Sequence, residues 1–192
     1  MKSNTYDIPI SKDYLSICSH RNRQQEFTHC RYTITTDSPR EFASSETNLR
    51  LTQLNRYIEI FCCITLYNEE ESLFLKTLNA VLDNIQYLCD PRCPKTWGPN
   101  GWMNAAVVIV ADGMHNLSDR MLMLFNVLGL FPDNDLMAYL DGKPVTAHIF
   151  ECTVQLIFDQ NMRMRTTKND EIVPIQMIFC LKQRNMKKVK FA

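Results

Sequence analysis

Apolar residues become continuous at Tyr57. The segment 57–66, YIEIFCCITL, is β-branched, aromatic and apolar, and predicts a buried strand. Asn68 follows, then Glu69, Glu70 and Glu71. Asn68 suits a helix cap, and acids in a first turn suit the positive end of the helix dipole. Phe74, Leu78, Val81, Leu82, Ile85 and Cys89 then recur at helical spacing and predict one buried face. Pro91 and Pro94 end that helix, and Trp97–Trp102 reads as a loop. Ala105–Val110 is a second apolar strand, closed by Asp112-Gly113. Ser118 caps the next predicted helix, with Met121, Leu124, Phe125 and Leu128 on one face and Gly129 at its end. Thr146–Phe158 and Ile172–Leu181 predict two longer strands on either side of a polar loop, Asp159–Glu171.

Strands that alternate with helices and carry continuous apolar runs predict an α/β fold with a mostly parallel sheet flanked by helices. Residues 1–56 are polar and weakly periodic, so they read as an N-terminal extension to a domain spanning 57–192. Within the extension, Glu26–Thr33 alternates enough to predict a short strand, and Ser38-Pro39 and Ala43–Asn48 read as loop.

Composition narrows the class. The chain has 192 residues, 45% apolar and 22% charged, which suits one folded domain and excludes wholesale disorder. Lys and Arg total 21 against 21 Asp and Glu, and this balance argues against nucleic acid as a partner. No GxxxxGK[ST] or GxGxxG phosphate cradle is present. The longest uncharged apolar run, Met121–Pro132, has 12 residues, short of the roughly 18 that a membrane span needs. The first residues lack the apolar core of a signal peptide. Without one, the 8 cysteines read as reduced thiols. Cys89 and Cys93 have zinc-like spacing but no second pair, and read as two unrelated thiols.

In open α/β sheets, ligands bind beyond the carboxyl ends of strands. Three predicted ends are polar here: Thr65 to Glu69, Asp112-Gly113, and Lys182. Tyr67 offers a face for a base. Asp112 offers an acceptor for a base N–H or a ribose hydroxyl, and Lys182 a cation for a phosphate. Each also has a plainer reading: Asn68 and Glu69 as cap and dipole partner, Asp112 as a turn residue, Lys182 as a solvated charge. His148 reads as a packed or surface strand position, the methionines as core and helix-face filling, and Asp133-Asn134-Asp135 as a surface turn rather than a metal motif. The basic tail, Lys182 to Lys190, holds five cations and no acid; it reads as solvated lysines leading toward the nucleotide site.

From about Glu26 to Lys188 the chain resembles the fungal chitin synthases. The resemblance is carried in order by EFTHCRYT, CITLYNEEESLFLKTL, TWGPNGW, VVIVADG, DGKPVTAHIFECTVQ and IVPIQMIFCLKQRNMKK. It implies a GT-A-like α/β domain, incomplete here, in a membrane glycosyltransferase that polymerises N-acetylglucosamine from UDP-N-acetylglucosamine into chitin. It further implies that Thr65, Tyr67 and Glu69 line the uridine pocket, that Asp112 recognises the uridine, and that Lys182 and Asn185 lie beside the nucleotide. This sequence departs from the pattern at Met114, Cys152, Gln183-Arg184 and the last four residues.

In the family, the metal-binding acids for a divalent cation (Mg or Mn), the catalytic base, the acceptor motif and the membrane helices follow this point. The resemblance therefore implies no catalytic residue and no metal ligand in this chain, and inactivity of the chain alone. It implies the plasma membrane, cytoplasmic face, for the full-length enzyme. A homo-oligomer is left open. The alternative expectation is a non-catalytic truncated paralogue that binds UDP-sugar or associates with full-length synthase.

Overall fold

The structure is a computed structural model that describes residues 4–18, 24–42, 48–92, 97–131, 136–159, 161–169 and 172–183. In chain order the N-terminal third forms β1 (Thr5–Pro9), α1 (Lys12–Ile17), α2 (Gln25–Thr28), β2 (His29–Thr35), α3 (Pro39–Phe42) and α4 (Arg50–Gln53). Then come β3 (Ile60–Leu66), α5 (Glu71–Leu88), β4 (Ala105–Ala111) and α6 (Asp119–Val127). The remainder holds β5 (Tyr139–Leu140), β6 (Lys143–Pro144), β7 (Ala147–Val154), β8 (Leu156–Phe158), β9 (Met164–Thr166) and β10 (Ile175–Lys182).

One six-stranded sheet organises the fold, in the order β1-β2-β7-β10-β4-β3. β3, β4 and β10 run parallel. β7 adds to β10 antiparallel, and β2 and β1 continue in that sense. The α/β class with a helix-flanked sheet is thus observed, its parallel part confined to three strands. Residues 1–56 contribute two strands to this sheet.

Helices α5 and α6 pack on one sheet face. That face is dry because the inward residues alternate along each strand: Val107 and Ile109 on β4, Met177 and Phe179 on β10, all buried. Rings then run in series through the core. Phe74 of α5 meets Phe125 of α6 edge-on at 5.4 Å, and Phe125 meets Phe179 at 4.5 Å. Phe179 stacks on Phe150 at 5.9 Å, and Phe150 on Tyr32 at 4.7 Å. Phe125 is fully buried within this series, so Phe125→Ala removes about 3–5 kcal/mol of stability. Phe74, Leu78, Leu82, Ile85 and Cys89 are buried as their spacing predicts, and Val81 is half-buried. Ser118 caps α6 as expected, its hydroxyl accepting from the Met121 N–H at 3.1 Å.

Local predictions shift in several places, among them Pro39, which begins α3 where a loop is predicted. Asn68 is not the cap: α5 starts at Glu71 with Glu70 in the cap position and no side-chain cap bond. The Glu69 carboxylate turns back to accept from the Tyr67 N–H at 2.6 Å, so the chain bends before it winds. Glu26–Thr33 is not one strand, because α2 precedes β2. A strand would send Glu26 and Phe27 to opposite faces; the helical turn buries both, Glu26 against Arg56 and Phe27 against Trp102. Thr146–Phe158 divides at Gln155, whose N–H donates to the Tyr14 hydroxyl at 3.0 Å instead of to a neighbouring strand. The polar stretch after it contains β9, which returns along β8 as a hairpin. The Asp133–Asp135 turn, Cys93, Asn185 and the end of the basic tail lie outside the described residues.

Candidate functional site

Because β3, β4 and β10 are parallel, their carboxyl ends lie together at one edge of the sheet. Leu66, Ala111 and Leu181 stand level across the three strands. The residues that follow therefore converge. The Asp112 N–H donates to the Leu66 carbonyl at 2.9 Å, tying the end of β4 to the start of the Tyr67 turn. On the other side Lys182 reaches Asp112, and its ammonium donates to the carboxylate Oδ1. Both side chains of this ion pair remain about one-third exposed, 34% for Lys182 and 36% for Asp112. Spacing alone placed these residues at separate strand ends. Their direct pairing, 70 positions apart in sequence, comes from the fold.

The turn after Asp112 is held by Gly113 at φ +101°, a conformation that L side chains rarely adopt. It is closed by Asn116, whose Nδ2 donates to the Asp112 carbonyl at 2.8 Å. Sequence reasoning missed Asn116; an Asx residue shortly after an Asp-Gly pair is the local signal for it.

Tyr67 is 47% exposed at the end of β3, so its ring is open to a stacking partner. Thr65 and Glu69 are exposed beside it. Both line a groove of about 570 Å³ between β3, the edge strand, and α5, whose apolar walls include Cys62, Ile64, Leu73, Phe74 and Val81. Asp112 and Lys182 lie outside that groove's lining. The starts of α5 and α6 meet close by: the Ser118 hydroxyl donates to the Glu71 carboxylate at 2.5 Å. That bond holds the Glu71 carboxyl below its ordinary range. Of the expected site residues, Thr65, Tyr67, Glu69, Asp112 and Lys182 gather at this edge.

Among the described residues no group of three or more His, Cys, Asp or Glu could hold a metal ion. Asp112, the acid at the end of β4, already faces an ammonium. The described residues at this edge do not fit a divalent cation. Among the described residues no helix is long and apolar enough to cross a membrane.

Three parallel strands, their connecting helices and a polar cluster at the strands' carboxyl ends define an α/β domain with its candidate site in the usual place for that architecture. Residues 60–191 match the chitin synthase-like glycosyltransferase domain, and residues 3–59 match the chitin synthase N-terminal region. The chain belongs to the chitin synthase family.

Its similarity to individual members runs nearly end to end. It is 42% identical to chitin synthase 2 of Rhizopus oligosporus over 183 residues, which is 95% of this chain and 21% of that protein. It is 36% identical to chitin synthase C of Aspergillus oryzae and to chitin synthase A of Ampelomyces quisqualis, each over 187 residues, 95% of this chain and 20% of the relative. The chain thus spans about one-fifth of the length of these relatives.

Proposed function

We propose that this chain supplies the UDP-binding part of a chitin synthase. That enzyme transfers N-acetylglucosamine from UDP-N-acetylglucosamine to a growing β-1,4 chitin chain. The observation that carries the reading is the convergence of Tyr67, Asp112 and Lys182 at the carboxyl ends of adjacent parallel strands. Tyr67 stacks on the uracil. Asp112 accepts from the base N–H or a ribose hydroxyl. Lys182 meets the diphosphate. Thr65 and Glu69 line the uridine pocket, and Asn185 lies beside the nucleotide.

Asp112 and Lys182 satisfy one another in the structure. A uridine diphosphate offers each a better-matched partner, a donor to the carboxylate and an anion to the ammonium, so the pair opens as the nucleotide enters. The same proposal includes the chitin acceptor, a divalent cation (Mg or Mn) and a plasma-membrane setting for a full-length enzyme, with no residue of this chain assigned to the cation.

The test is titration calorimetry of UDP against the chain and its Asp112→Asn variant. Asn keeps the shape, removes the charge and turns one acceptor oxygen into a donor. Hydrogen bonds to charged groups contribute roughly 1.5–3 kcal/mol, so affinity should fall by about tenfold to over a hundredfold. Unchanged affinity, with the fold intact by circular dichroism, removes Asp112 from the site.

A further inference from the structure

The ring series through the core ends on a group that the nucleotide reading does not use. His148 of β7 is fully buried and stacked on Tyr32, ring centroids 5.8 Å apart. Both of its nitrogens are engaged. Nδ1 lies 2.7 Å from the Tyr32 hydroxyl, and Nε2 lies 2.6 Å from the side-chain nitrogen of Gln183. Gln183 directly follows Lys182, and its backbone N–H donates to the Thr146 carbonyl at 3.0 Å. Successive side chains leave a strand on opposite faces. Gln183 is therefore fixed on the face that holds His148, while Lys182 turns the other way to Asp112.

We infer that His148 is a positioning residue: with Tyr32 behind it, it clamps Gln183 and so sets where the Lys182 ammonium stands at the end of β10. The inference rests on the nucleotide reading above, since Lys182 needs a fixed position only if it meets a ligand. A cation whose backbone is already held gives up less freedom on meeting a phosphate.

A neutral ring satisfies the clamp in two ways. In one arrangement Nδ1–H donates to the Tyr32 oxygen and the Gln183 amide donates to Nε2. In the other, the Tyr32 hydroxyl donates to Nδ1, and Nε2–H donates to the Gln183 carbonyl oxygen with the amide turned round. The imidazole is uncharged in both. Burial acts in the same direction, pushing the His148 pKa down to about 4. The groups that contact the ring, Tyr32 from β2 and Gln183 from the end of β10, carry no charge at neutral pH. An amide serves either arrangement. A carboxylate at position 183 would accept from Nε2–H and, being charged, would favour the protonated ring.

The test titrates UDP into the 192-residue chain and into Lys182→Ala, Gln183→Ala and Gln183→Glu. Circular dichroism confirms each fold, and proton NMR follows the His148 ring. Gln183 is only half-buried, so its replacement leaves the core intact. Lys182→Ala should weaken binding. If the unclamped lysine is correctly placed in about one molecule in five, Gln183→Ala should weaken it by about fivefold. Gln183→Glu should retain affinity and raise the His148 titration midpoint by about one pH unit or more. Full affinity in Gln183→Ala beside weakened binding in Lys182→Ala overturns the clamp and leaves the nucleotide site standing. An unmoved His148 midpoint in Gln183→Glu also overturns the clamp. No UDP binding by the unsubstituted chain, or none lost in Lys182→Ala, overturns the nucleotide reading itself and the clamp with it.

Discussion

Lys182 and Asp112 pair one residue beyond the last level position of two adjacent parallel strands, where Leu181 stands against Ala111. A cation and an anion are thus held side by side on fixed backbone at the place where the fold gathers its polar groups. Both remain partly solvated, which decides what the pair is worth. Exposed ion pairs contribute about 0–1 kcal/mol. Lys182→Met should therefore change unfolding free energy by less than about 1 kcal/mol, read from urea midpoints. A loss several times larger would make the pair a structural strut and count against a binding role.

Gly113 should resist substitution. A Cβ there would stand 2.9 Å from Asn116 Nδ2 and 3.1 Å from the His115 ring, on a backbone with φ +101°. Forcing a side chain into such a region costs on the order of 1–3 kcal/mol. Gly113→Ala is expected to lose that much stability in urea unfolding. It should also displace the Asp112 carbonyl from Asn116 and so weaken UDP binding. An unchanged unfolding midpoint contradicts the strain argument.

Burial matters more at Arg56. Its guanidinium donates to both Glu26 oxygens at 2.9 Å, and the two side chains are only 11% and 5% exposed. The same guanidinium lies over the Trp102 ring at 5.1 Å. Removing one partner of a buried pair leaves an uncompensated charge, at roughly 3–5 kcal/mol. Arg56→Met should cost about that much, and adding Glu26→Gln should recover part of it. Equal losses in the single and double variants would show that the charge is not the cause.

Two buried groups give stability a pH dependence of opposing signs. Burial raises the Glu151 carboxyl from 4.5 to about 7, against the Arg50 N–H and the Arg31 and Arg50 charges. Its Oε1 has no hydrogen-bond partner among the described residues. Between those values the folded chain holds the proton that the unfolded chain has lost, so this group removes stability as pH rises from 4.5 through 7. His148 falls from 6.5 to about 4, so there the unfolded chain binds the extra proton and stability rises with pH between 4 and 6.5. The two slopes offset one another where the windows overlap. Glu151→Gln should leave the histidine slope uncovered, with stability climbing more steeply from pH 4.5 to 6.5 than in the unsubstituted chain. Denaturant titrations across that range test it, and parallel slopes would sink it.

The strands and helices of the parallel half were legible because their signals are local. Apolar runs of strand length mark β3 and β4, helical spacing marks the buried faces of α5 and α6, and Ser118 marks a start. Once those strands are placed in parallel, their carboxyl ends and the residues Thr65, Tyr67, Asp112 and Lys182 follow, because chain direction is all that placement requires. The ordered motifs carried the family in the same way, being written in adjacent residues. Tertiary structure alone decided which strands stand beside which. It put β7 antiparallel on β10, brought β2 and β1 into the sheet, turned Glu26 inward to Arg56, and set Lys182 on Asp112 and His148 on Gln183. Partners so far apart in sequence leave no periodic trace. Their register is fixed by which face must be buried, a property of the assembled sheet and not of any one segment.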